Sequence, residues 1–170
     1  RWIIRRRGVT PPGRNKVPRA QRREAWEATG MEQVATLINT GNLVVSTRLG
    51  QAKVERLVHD LIAERFGGDL AVMARTPAYF RQALQRNPFN DVPVEQLYVA
   101  LLASPPDEAA LSALMTVDFT PDRIAVIDDV AYVHCVSEPA KSKLTTVHLE
   151  RRLKRAATMR IHNTIARLLA

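Results

Sequence analysis

Two short segments bring together the residue types that hold anions. In Arg7–Pro18 (RGVTPPGRNKVP), two glycines and the cations Arg7, Arg14 and Lys16 sit in a loop that leads from a strand into a helix. Backbone N–H groups at such a helix start, with Gly13, Arg14, Asn15 and Lys16 beside them, suit a phosphate or a carboxylate. In Pro139–Thr146 (PAKSKLTT), Lys141 and Lys143 fall at the predicted start of a second helix. Cations oppose the macrodipole there, and an anion would relieve that cost. The plain alternatives are an ordinary strand-to-helix loop in the first segment, and Ser142 and Thr145 as caps or solvent-facing residues in the second.

Other chemistry is thinner. Ser142 could serve as a nucleophile activated by Lys141 or Lys143 in a hydrolase or transferase, with His162 brought in by the fold as a base. No GxxxxGK[ST] or GxGxxG motif is present, which argues against a kinase or dehydrogenase. His59, His134, His148 and His162 form no HExxH motif and have no metal-ligand spacing, so no metal and no cofactor is expected. His59 is read as a surface residue. His134 and Cys135 are strand neighbours that point to opposite faces, leaving Cys135 as a small buried hydrophobe. Asp128-Asp129 reads as a hairpin turn.

The charge is segregated. Arg1–Arg23 carries +9, Glu24–Glu138 carries −8 and Pro139–Ala170 carries +7 within a net +8 over 170 residues. Two basic ends folded onto one face would attract phosphate, nucleic acid or an acidic surface. Aromatic content of 5% is low for base-stacking platforms. The 46% hydrophobic content excludes a disordered tail, no apolar run is long enough to span a bilayer, and the start lacks the apolar core of a signal peptide. With one cysteine and thus no internal disulfide, these features predict a cytoplasmic protein with no membrane contact.

The elements that must position these residues follow from periodicity. Strands are expected at Trp2–Ile4, Val34–Ile38, Leu43–Ser46 and Leu70–Met73. A first helix runs from Pro18 to Gly30. A second carries Val54, Leu57, Val58, Leu61, Ile62 and Phe66 on one face and is closed by Gly67-Gly68. A linker over 76–95 holds a short helix capped by Thr76. The order then repeats: strand Leu97–Ala103, a helix after Ser104-Pro105, strands Ile124–Ile127 and Val130–Val136, a long helix Pro139–Lys154, an extended Ala157–Arg160, and a last helix from about Asn163. The economical fold is α+β, with two tandem ferredoxin-like (split βαβ) halves, 1–75 and 96–170, and an extra C-terminal helix.

Four segments in order resemble one bacterial family of unknown function: RG-x5-RNKVP, INTGNLVV, SKLT, and AT-x-R-x-x-NT-x-x-x-L. The resemblance spans nearly the whole chain, implies the same tandem fold, and brings no reaction or ligand. Arg7, Gly8, Gly13, Asn15, Lys16, Gly41, Asn42, Ser142, Lys143, Leu144, Thr145, Arg160, Asn163 and Thr164 fit it. The chain departs from it at Pro12-Gly13, Glu138-Pro139-Ala140 and Ile161-His162. Arg5 and Arg6 stand where the family has apolar strand residues, which suits an edge strand or an irregular start.

The expected function is binding of a phosphate-bearing ligand, nucleic acid included, through a basic groove. The alternatives are the Ser142 enzyme and a protein-interaction module. Gly13–Lys16 and Lys141–Thr145 are expected to line one site, completed by Arg160 and Asn163.

Overall fold

Strand β1 (Trp2–Arg6) alternates Ile4 onto one face of its sheet and Ile3 and Arg5 onto the other, and all three are fully buried. A strand covered on both faces belongs in the middle of a sheet, and β1 lies between β3 (Asn42–Ser46) and β4 (Val72–Arg75). An edge position for β1, suggested by its arginines, is therefore incorrect. The computed structural model describes residues 1–6, 32–37, 42–66, 71–136, 138 and 141–169. The expected first helix and the Gly67-Gly68 cap lie outside them, as does the side chain of Phe66.

The chain is α+β and divides into two compact units, Arg1–Tyr79 and Phe80–Ala170. In the first, β2 (Glu32–Leu37) completes an antiparallel sheet of order β2-β3-β1-β4. Helix α1 (Gln51–Phe66) lays Val54, Val58, Leu61 and Ile62 on Ile4, Val45 and Ala74, the face that its periodicity predicts. Strand β4 falls about two residues later than expected, where it has specific ties. Glu55 Oε1 accepts from the Ala74 N–H at 2.8 Å and from Arg75 Nη1 at 3.1 Å. A carboxylate thereby occupies a backbone donor on an edge strand, which blunts that edge.

The second unit has the order β6-β7-β5-β8, built from β5 (Leu97–Leu102), β6 (Arg123–Ile127), β7 (Val130–His134) and β8 (Ala157–Ile161). Helices α3 (Glu108–Met115) and α4 (Thr146–Leu153) cover one face, where Leu114, Leu149 and Leu153 meet Ala100, Leu102, Ala131, Val133 and Ala157. Helix α5 (His162–Leu169) buries Ile165 and Leu168 and packs on β5, β8 and the 3-10 turn Val94–Gln96. Helix α2 (Pro77–Gln85) spans the boundary between the units; the Thr76 hydroxyl accepts from Tyr79 N–H, as a cap does. Near its end, the Ala83 carbonyl accepts from the Tyr132 hydroxyl at 2.8 Å. Burial pushes that phenol up to about 12.

Two helix starts differ from expectation. Pro105-Pro106 holds the chain extended, because a residue before proline is kept out of helical geometry, so α3 begins at Glu108 rather than after Ser104. Its flanking Asp107 instead pairs with Arg155 at 2.8 Å. The long helix expected from Pro139 is eight residues, Thr146–Leu153, closed by Lys154 in the left-handed region at φ 52°. The Asp128-Asp129 turn is as read: Asp128 has φ 53° and pairs with Arg86. Cys135 is buried. No helix among the described residues is long and apolar enough to cross a membrane.

Because Leu61 belongs to the buried stripe of α1, Leu61→Ala should cost about 2 to 5 kcal/mol, as large-to-small core changes do. His59, on the solvated side beside Asp60, should cost under about 0.5 kcal/mol when changed to alanine. Urea melts of the two variants check the phase of the helix; the reverse ranking would overturn it.

Candidate functional site

The expected site residues of the second unit fall into two places. The first is the connection from β7 to α4, organised by one carboxylate. Asp122, just before β6, is 6% exposed and accepts from Val136 N–H at 2.9 Å and from the Ser142 hydroxyl at 2.7 Å. Ser142 Oγ in turn accepts from Leu144 N–H at 3.0 Å, and Leu144 is seated in the core. Thr145 caps α4, its hydroxyl accepting from His148 N–H at 3.3 Å. This chain of bonds holds 141–145 ahead of the helix. Lys141 and Lys143 are therefore not in its first turn, and the macrodipole argument for an anion there is overturned.

The surroundings of Ser142 bear on the nucleophile reading. Its proton is directed at Asp122, and its oxygen already takes a backbone N–H. The Lys141 ammonium sits 2.9 Å from Glu138. Hydrogen bonds from Thr120, and to a lesser degree the charge of Lys143, lower the Asp118 carboxyl. Burial pushes the Cys135 thiol up and outweighs the opposing effect of its hydrogen bond with Ser142. Ser142 is thus tied into the loop, and Lys141 faces Glu138.

The second place is β8 and the start of α5. Arg160 lies on the face of β8 opposite α4, half-buried, and donates from Nη1 to the Met159 carbonyl at 2.7 Å. Burial lowers its guanidinium from the ordinary value, and it stays charged at neutral pH. Asn163 is the second residue of α5 and exposed. Ser142 attaches beside β6 and Arg160 sits on β8, so three strand spacings, about 14 Å, separate their strands. They also lie on opposite faces. The remaining expected site residues, Arg7, Gly13, Arg14, Asn15 and Lys16, lie outside the described residues.

Sequence reading passed over a positive cluster on α4. On α4, His148 and Arg152 are one turn apart, and His148 Nε2 and Arg152 Nε are both buried atoms without a hydrogen-bond partner. Burial, then Arg151, Arg152 and Lys143, hold the His148 imidazole below its ordinary value. Three cations acting on one imidazole define a local excess of positive charge. The available signal was the i,i+4 spacing of His148 and Arg152 inside the +7 block.

His134 is also more than a strand residue. It is 8% exposed, accepts at Nδ1 from Arg123 Nε at 3.2 Å and donates from Nε2 to Gln96 Oε1 at 3.1 Å. Arg123 stacks on the Phe89 ring at 4.9 Å. Phe89 and Arg123 border an open cleft of about 320 Å³ with Met115, Asp118, Thr120 and Asp122.

Removing the Ser142 hydroxyl leaves a buried carboxylate oxygen and an N–H short of a partner, so Ser142→Ala should cost about 1 to 3 kcal/mol, against little for Lys143→Ala. Equal melts for the two variants would remove the loop lock. For His148 the folded value is depressed, so the unfolded chain binds more protons between the two values. Stability is then full above the unfolded value near 6.5 and falls as pH drops through it. His148→Gln should flatten the melting temperature between pH 7.5 and 5.5, read as a smaller decline than in the parent chain.

In comparisons with known proteins, the model of a protein family of unknown function, DUF1697, matches residues 1–132. The SKLT and terminal segments lie beyond that match. No curated protein matches. Among solved structures, the conserved bacterial protein SP0830 from Streptococcus pneumoniae is similar in fold, with a TM-score of 0.75 at 17% identity, over 99% of this chain and 96% of that one. Matched over residues 1–132, the chain belongs to the DUF1697 family of proteins of unknown function.

Proposed function

We propose that this protein binds a phosphate-bearing ligand, nucleic acid being the form to test, through the cations Lys143, Arg151 and Arg152 around His148. The observation that carries the reading is the pair of buried, unpartnered nitrogens, His148 Nε2 and Arg152 Nε, beside the exposed Lys143 and Arg151. Nitrogens of that kind lack the carboxylate that usually satisfies them, and a phosphate oxygen supplies the same chemistry. The tie between Ser142 and Asp122 favours a structural role for that serine over an activated nucleophile. The single, buried cysteine suits a cytoplasmic protein.

The scaffold reading that goes with this is two tandem ferredoxin-like halves joined through 76–95. It is supported by the shared strand order: numbered within its own unit, each sheet runs 2-3-1-4. Within that reading α4 and α5 lie on opposite faces of the second sheet.

Fluorescence anisotropy with a labelled oligonucleotide tests the function. Affinity should be weak, independent of sequence and steeply salt-dependent, and Arg151→Ala and Arg152→Ala should each weaken it and reduce the salt slope by about 1. No binding at low salt, or binding indifferent to both substitutions, would sink the proposal.

A further inference from the structure

Strand β6 is an outer strand of the second sheet, paired with β7 alone among the described residues. The tight Asp128-Asp129 turn makes Ile127 and Val130 a hydrogen-bonded pair, and alternation sets Ala125 with Tyr132 and Arg123 with His134 in the same way. The bonds from Leu102 N–H to the Asp129 carbonyl and from Cys135 N–H to the Gln96 carbonyl, on the β5 side of β7, agree with that phase. Ile124 and Val126 therefore turn their N–H and C=O groups away from the sheet. Other edges are blunted. Glu55 occupies the Ala74 N–H of β4, and Glu150 occupies the Ala157 N–H of β8. Ile124–Ile127 (IAVI) has no charge, no proline and no break in its register.

We infer that β6 is the joint of a homodimer, in which the β6 of a second copy adds antiparallel across a two-fold axis at Ala125 and continues the sheet. That register sets Ile124 opposite Val126 of the second copy, so residues whose backbone groups point outward meet as hydrogen-bonded pairs. Ala125 meets its own counterpart in the non-hydrogen-bonded position, where Cα atoms approach to about 4.5 Å and a small side chain fits. Ile124 also borders the open cleft with Met115 and Val117, and Met115 is 54% exposed. The incoming Val126, on the same face as Ile124, comes alongside that apolar wall. Charge selects the occupant. β6 begins with Arg123 and runs into Asp128-Asp129, so an antiparallel copy brings the arginine of each chain beside the aspartates of the other. The self-complementary strand is what an isologous interface requires. This joint uses none of the cations of the anion-binding reading.

The test is sedimentation of the full chain, paired with amide hydrogen exchange in dilute and concentrated samples. A reversible monomer–dimer equilibrium is expected between about 1 and 500 μM, since a joint of one strand pair falls among the small, weak interfaces. Protection should rise with concentration at Ile124 and Val126, while Ala125 and Ile127, already bonded to β7, change little. Ala125→Lys and Ala125→Glu each set like charges face to face on the axis and should weaken the dimer at least about tenfold. An equimolar mixture of the two variants should pair again, which a merely destabilised fold would not do. A parent chain that stays monomeric overturns the inference and leaves the edge to an extended segment of another protein. It is equally overturned by a dimer that gives no added protection at Ile124 and Val126, or by variants that dimerise as the parent does. The exchange pattern is read on the parent chain, so the test stands even where a variant fails to fold.

Discussion

The second unit is governed by the two-sided burial of β5. Leu97, Val99 and Leu101 face one way and Ala100 and Leu102 the other, and none is more than 1% exposed. A sheet with a single helical layer would leave one of those faces in water, at about 25 cal/mol for each Å² of apolar surface. Helices α3 and α4 answer one face. The other needs further cover, and α5 supplies part of it through Ile165 and Leu168. The extra C-terminal helix is thus a requirement of β5, and its junction with β8 fixes where Thr158, Arg160 and His162 stand.

Polar groups inside such a double-covered sheet have to be satisfied individually. Tyr132 reaches the Ala83 carbonyl, and His134 takes one bond from Arg123 and gives one to Gln96. Asp122 collects Val136 N–H and the Ser142 hydroxyl. That last set has a consequence beyond its own stability, because by holding 141–145 as a turn it sets the start of α4 at Thr146. The helix start in turn decides that His148 and Arg152 share a flank while Leu149 and Leu153 enter the core. The position of the α4 cations is therefore a downstream effect of a buried carboxylate about 20 residues earlier in the chain. Against these satisfied groups, the unpartnered atoms of His148, Arg152, Thr158 and His162 stand out.

Much was legible in the sequence because it depends on local pattern. The α1 stripe, the Asp128-Asp129 turn, the Thr76 cap, the buried Cys135 and the alternating order of strands and helices all follow from spacing within a few residues. So does the sign of the charge in each block, and the resemblance to a family of unknown function agrees with the match over residues 1–132. Periodicity also located β5 and β7 to within about a residue or two, since their apolar runs are uninterrupted.

What only tertiary structure decided is which distant residue meets which. No local rule says that Ser142 hydrogen-bonds Asp122, and without that bond the lysines of the SKLT segment read as the first turn of a long helix. Nor does composition distinguish Arg5, fully buried in a central strand, from a charged residue on an edge. Register and face are set by pairings between strands far apart in sequence, where one hydrogen bond ladder aligns every side chain at once. Those pairings put Arg160 and Ser142 on opposite faces, although the sequence offered them as members of one basic block. Charge sign is a property of the chain, whereas charge proximity is a property of the fold.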